Sequence, residues 1–178
     1  MAGRRPAASA AWAAIAAAEA RGRGLGPVAI LDIDYHHGNG TQDIFLERSD
    51  VFFASIHADP RTDYPFYWGH QDERGAGEGE GATLNLPLAR GTAMRGYEAA
   101  LDRALEAVAG FGAGLLVCSF GADTFAGDPI CSFALETADY APVARRIASL
   151  GLPTLIVMEG GYAVDALGGN VAAFLSGF

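Results

Sequence analysis

Short apolar runs alternating with stretches of helical spacing constrain this 178-residue chain more than any other feature. Pro27–Asp34 (PVAILDID) is apolar until its end turns acidic, the pattern of a strand buried on both faces. Val51–His57 (VFFASIH), Thr83–Leu88, Gly114–Phe120 and Pro153–Met158 read as further strands. Ala93–Phe111 places Met94, Tyr97, Ala100, Leu101, Leu105 and Val108 near helical spacing. Thr137–Leu150 reads as another helix, Val164–Phe178 as a closing one, and Ala8–Arg21 as an opening one that stops at Gly22, Gly24 and Gly26. The alternation predicts an α/β fold with a mainly parallel sheet and helices on both faces.

Charge and glycine placement exclude several functions. The net charge of −9 argues against a nucleic-acid binder and suits a cationic ligand. The Ala-rich start is broken by Ser9, Trp12 and Glu19, so it reads as a helix in a soluble, cytoplasmic protein rather than a membrane span. Cys118 and Cys131 are too few for a disulfide framework and lack metal-binding CxxC spacing. Gly75–Gly81 (GAGEGEG) does not follow a strand and open a helix, and Gly22–Gly26 precedes its strand. Neither is a dinucleotide fingerprint, which disfavours an oxidoreductase of that kind.

Three apolar strands end in reactive groups: Asp32 to Gly40 (DIDYHHGNG), Phe120 to Thr124 (FGADT) and Met158 to Tyr162 (MEGGY). In open α/β sheets the ligand crevice lies outside the carboxyl ends of the strands, so these groups should converge. Asp34 and His36 are two residues apart. If the strand continues that far, both point the same way, with Asp32 on that face. That pair can hold one cation, Asp123 supplies a third ligand, and three protein ligands with one open position describe a catalytic zinc. Two carboxylates nearly cancel the ion's charge, so a separate general base is expected. Tyr162, after two glycines that let backbone approach a substrate, can donate to a developing oxyanion. Taken singly, Asp123 reads as a turn or cap residue, Gly-Gly-Tyr as a turn and the histidines as a satisfied loop. Together they read as a metal site.

These motifs resemble the histone deacetylase and acetylpolyamine amidohydrolase family. The resemblance is carried by Val28–Pro60, Tyr64–Gly69 (YPFYWG), Gly121–Pro129 (GADTFAGDP) and Glu159–Tyr162 (EGGY). It covers residues 26–178 as the carboxyl-terminal part of a catalytic domain, with 1–25 as a poorly matching helical start. It implies a zinc-dependent amidohydrolase that deacetylates an acetylated amine or polyamine, with Asp34, His36 and Asp123 on zinc and Tyr162 on the transition state. It further implies a structural potassium ion near Asp32, Ser55, Ile56 and the carbonyls of Asp34 and His36. Phe66 and Tyr67 become tunnel walls, Gly160 and Gly161 lie beside the substrate, and a homodimer is a compatible assembly. Arginase-like hydrolases, which use more Asp and His ligands for two manganese ions, fit less well.

The family also carries a Gly-His-His motif upstream, whose histidines act as base and electrostatic partner. No histidine here precedes Asp32. We therefore expect a start shortened by truncation or a frame change, a fold incomplete at its amino terminus, and feeble activity from this chain alone. The competing expectation is a catalytically silent metal-binding piece.

Overall fold

The computed structural model describes residues 12–178. Five parallel strands form one sheet in the order β3-β2-β1-β4-β5. They are β1 (Val28–Asp32), β2 (Val51–Ala58), β3 (Thr83–Leu88), β4 (Leu115–Phe120) and β5 (Thr154–Met158). Among the described residues five α-helices cover them: α1 (Trp12–Gly22), α2 (Asn39–Phe45), α3 (Met94–Phe111), α4 (Thr137–Ala148) and α5 (Val164–Leu175).

Alternation within β1 explains the two covered faces. Val28 and Ile30 pack with Phe45, Phe53 and the alanines of α1, while Ala29 and Leu31 pack with residues of α3, α4 and α5. Helix α3 buries Tyr97, Ala100, Leu101, Ala104 and Val108, a stripe of helical period, and ends at Gly112 in the left-handed conformation. A reciprocal capping box between Glu136 and Asp139 starts α4.

The chain runs from β1 outward through β2 to β3, then returns to place β4 on the other side of β1. This reversal opens a crevice at the carboxyl ends of β1 and β4. No helix among the described residues is long and apolar enough to cross a membrane.

The sheet and its helices match the sequence reading, with three differences. Strand β1 ends at Asp32, so Asp34 and His36 lie beyond the strand. The short helix α2 went unpredicted, because Asn39 and Gly40 in its first turn have poor helix propensity. Helices α4 and α5 stop at Ala148 and Leu175, before the expected ends. The Ala8–Ala11 part of the opening helix lies outside the described residues.

Candidate metal centre

Beyond β1 the chain turns on its own carboxylates. The Asp34 amide donates to Asp32 Oδ1 (3.2 Å), and the His36 amide donates to Asp34 Oδ1 (2.8 Å). Two successive Asx turns, rather than strand alternation, therefore bring Asp34 and His36 together. Asp123 follows β4 in a single 3-10 turn and is fully buried. Its Oδ1 accepts from the Tyr35 amide at 3.0 Å, tying the two strand ends together.

His36 Nδ1 lies 3.3 Å from Asp123 Oδ2 and 3.5 Å from Asp34 Oδ1. Ligands about 2.0–2.2 Å from a tetrahedral ion sit roughly 3.3–3.6 Å from one another, so His36 stands at co-ligand spacing from each carboxylate. One imidazole nitrogen and two carboxylates suit a divalent cation of intermediate softness. The backbone is shaped to that convergence. A Cβ on Gly160 would stand 2.5 Å from Asp123 Oδ2 and 2.7 Å from Asp34 Oδ2, and one on Gly121 would stand 2.3 Å from Asp34 Oδ2. The Gly160 amide donates to Asp34 Oδ2 at 2.9 Å.

The charges of the cluster favour a cation. Burial raises the pKa of Asp123, the hydrogen bond from His36 opposes this, and the Asp34 charge raises it further. Burial likewise lifts Asp32 well above the usual carboxylate range, with the Asp34 charge adding to it. Burial lowers the His36 pKa, but hydrogen bonds and charge from Asp123 and Asp34 outweigh it and push the ring up to about 10. A positive charge at this point is therefore stabilised, and a metal ion can take the place of the proton.

A cavity of about 450 Å³ opens above these groups, lined in part by Asp34, His36, Tyr64, Ile130, Glu159 and Tyr162. Tyr162 is 47% exposed, and its amide donates to Asp128 Oδ2 at 2.8 Å. Burial first, then the charges of Asp123 and Asp34, raises its pKa, so the phenol stays a proton donor. Gly160 lies in the cavity wall, whereas Gly161, with φ 145°, packs toward Leu167 and Ala122. Of the predicted tunnel aromatics, Phe66 meets Tyr64 edge-on at 6.4 Å and Tyr67 is 82% exposed; neither is among the lining residues. Tyr64, which sequence reasoning left unassigned, lines the cavity and faces the His36 ring at 6.2 Å.

Asp32 pairs in register with Ser55 on β2, so these two members of the predicted potassium site are neighbours. The Ser55 hydroxyl lies 2.8 Å from His57 Nδ1. His37 Nε2 faces two acceptors, Gln42 Oε1 (2.9 Å) and Asn85 Oδ1 (3.1 Å), and so carries the ring proton. Burial lowers His37 to about 4 and His57 to about 3, so both rings are neutral at pH 7.

Sequence reasoning also missed Cys131 and Asp128. The Cys131 thiol lies 3.6 Å from Asp123 Oδ2, and Asp128 anchors the turn that presents Tyr162. The only available signal was their shared place in GADTFAGDPIC, a few residues after Asp123.

The histone deacetylase domain matches residues 10–178. The chain is 54% identical to acetylpolyamine amidohydrolase 1 of Pseudomonas aeruginosa over 166 residues, covering 93% of this chain and 48% of that protein. It is 50% identical to the acetylpolyamine amidohydrolase of Mycoplana ramosa, with the same coverage. The crystal structure of the Burkholderia pseudomallei acetylpolyamine aminohydrolase superposes with a TM-score of 0.90 at 43% identity, over 93% of this chain and 48% of that one. The chain thus spans about half the length of the relatives it matches. With its parallel sheet and its converging Asp, His and Asp, this chain belongs to the histone deacetylase family.

Proposed function

We propose that the chain carries the metal-binding and oxyanion-binding half of a zinc-dependent amidohydrolase that removes acetyl groups from acetylated amines. The convergence of Asp34, His36 and Asp123 under one cavity carries this reading. Zinc, held by those three residues, would supply Lewis acidity toward the acetyl carbonyl and acidify water. Asp34 and Asp123 hold their geometry through the amides of His36, Gly160 and Tyr35. The Tyr162 hydroxyl donates to the carbonyl oxygen as negative charge grows there, and Asp128 holds the backbone of that tyrosine. Tyr64 and Ile130, in the cavity wall, flank the scissile amide and limit water, with Gly160 beside the acetyl group. Potassium at Asp32, Ser55, Ile56 and the carbonyls of Asp34 and His36 would stiffen the strand ends. The excess of acidic residues suits an amine that is cationic elsewhere, as an acetylpolyamine is. The bacterial relatives suggest the cytoplasm as its place of action.

Among the described residues no histidine is placed as a base: His37 and His57 are buried in hydrogen bonds, and His70 is not among the residues lining the cavity. This favours, as a second reading, a metal-binding piece that is silent alone. The test is zinc-loaded chain assayed on acetylputrescine and an acetyl-lysine peptide, beside Tyr162→Phe. We expect turnover ~10²–10⁴-fold below that of a full-length relative. Robust turnover that depends on Tyr162 would overturn the reading that these residues alone supply no base.

A further inference from the structure

We infer that Asp63 and Arg90 are positioning residues for the metal-centre cavity: together with Tyr35 they clamp Tyr64 in the cavity wall beside His36. The inference rests on the metal reading above and adds two residues that act on the site through others. Asp63 is only 8% exposed. Its Oδ1 accepts from Tyr35 Oη at 2.9 Å and Arg90 Nη2 at 3.0 Å, and its Oδ2 from Arg90 Nε at 2.9 Å and Thr62 Oγ1 at 2.7 Å. Burial would raise its pKa, but the hydrogen bonds from Arg90, Thr62 and Tyr35 outweigh it and keep the carboxyl ionised. Arg90 Nη2 also donates to the Thr62 carbonyl at 3.0 Å. A planar guanidinium fork on a carboxylate fixes direction as well as distance.

Tyr35 directly precedes His36, and Asp63 directly precedes Tyr64. The Tyr35–Asp63 hydrogen bond therefore runs beside the edge-on contact of the His36 and Tyr64 rings, whose centroids are 6.2 Å apart. Both ends of the clamp are anchored. The Tyr35 amide donates to Asp123 Oδ1, and its buried ring packs edge-on against Phe133 at 4.7 Å. Around Arg90, the Gly91 amide donates to the Ser132 carbonyl at 2.6 Å and the Ala134 amide to the Thr92 carbonyl at 2.9 Å. The wall loop has bonds of its own: the Thr62 and Asp63 amides donate to the Asp59 carbonyl at 2.9 and 3.0 Å, and the Phe66 amide to the Asp63 carbonyl at 3.0 Å. Those bonds give the loop its shape, and the clamp gives it its place over the cavity.

Tyr64 lines the cavity yet is 52% exposed. A half-exposed ring has little packing to hold it, so its position follows the backbone beneath it. With Asp63 clamped, the ring stands at one distance from His36 and the cavity keeps one width. A misplacement of about 1 Å, even from a change far from the chemistry, costs on the order of 10²-fold in rate, so a network outside the centre matters to it.

Fluorine NMR of the whole chain labelled with 3-fluorotyrosine, with and without cobalt(II), reads the position of Tyr64, and Tyr64→Phe and Tyr162→Phe assign the two resonances. Cobalt in the centre shifts nearby fluorines, an effect that falls steeply with distance. We expect a cobalt shift at both tyrosines in the wild type. In Asp63→Asn the Tyr64 shift should collapse while Tyr162 keeps its own. The Phe66 amide should then exchange with deuterium at least about tenfold faster, as loss of one charged hydrogen bond predicts, with α3 unchanged. Arg90→Gln, at a side chain 59% exposed, should give the same pattern to a smaller degree, and it carries the test if Asp63→Asn does not fold. An unchanged Tyr64 shift and unchanged loop exchange in both variants would overturn the inference and leave the metal reading standing. Equal changes at Tyr162 and in α3 would also overturn it, by showing a general loosening. No cobalt shift at either tyrosine in the wild type would overturn the metal reading, and loop exchange in the metal-free chain would then decide the clamp.

Discussion

Replacing Gly160 by alanine tests whether the two carboxylates act as a pair on one ion. The new Cβ would stand 2.5 Å from Asp123 Oδ2 and 2.7 Å from Asp34 Oδ2, against an ordinary contact of 3.4 Å or more. The carboxylates must retreat by 3.4 − 2.5 = 0.9 Å and 3.4 − 2.7 = 0.7 Å, or the backbone must shift as far. Metal–ligand distances tolerate only about 0.2 Å, so zinc affinity should fall by at least about 100-fold. The fold should survive. Gly160 lies outside the left-handed region that disfavours alanine. Overpacking at such a site costs about 1–3 kcal/mol. Competition with a chromophoric chelator measures the zinc affinity, and circular dichroism checks the fold. A folded Gly160→Ala variant that binds zinc within threefold of wild type would refute the reasoning.

Two further predictions concern buried polar groups other than the candidate ligands. His57 and His37 titrate near 3 and 4 in the folded chain, against 6.5 for an unfolded histidine. The unfolded state therefore binds more protons as pH falls from about 6.5 to 4, and stability drops across that window. His57→Gln should flatten the drop by about 1.4 kcal/mol per pH unit in urea unfolding series, and an unchanged slope would contradict the assignment of a neutral buried ring. Asp63 accepts from Tyr35 Oη (2.9 Å) and from Arg90 Nε and Nη2 (2.9 and 3.0 Å). Asp63→Ala should cost about 2–3 kcal/mol by stranding the buried Tyr35 hydroxyl, and a loss below about 0.5 kcal/mol in the same assay would rule that role out.

The parallel sheet was legible because its strands are apolar on both faces. Val28, Ala29, Ile30 and Leu31 carry no polar residue for a wet face, and that pattern belongs to strands covered by helices. Asp34, His36 and Asp123 were legible as reactive groups at the ends of such strands. How they meet was not. Strand alternation was the expected route, yet β1 stops at Asp32 and the chain turns on Asp32 and Asp34 instead. Contacts that depend on strand order were also hidden. Gly160 reaches Asp34 across 126 residues, because β5 lies one strand beyond β4. Asp128, Tyr64 and Cys131 looked like loop residues, since nothing local shows that their loops fold over the ends of β1 and β4. Phe66 and Tyr67 show the converse, because an aromatic-rich loop does not itself reveal which ring faces the cavity.

Zinc stoichiometry by plasma mass spectrometry, on wild type and on an Asp34→Ala, Asp123→Ala double variant, tests the central claim most directly. The wild-type chain should carry about one zinc ion and the folded double variant close to none. Equal zinc in the two proteins would contradict the account, because the ion would then sit somewhere other than the junction of β1 and β4.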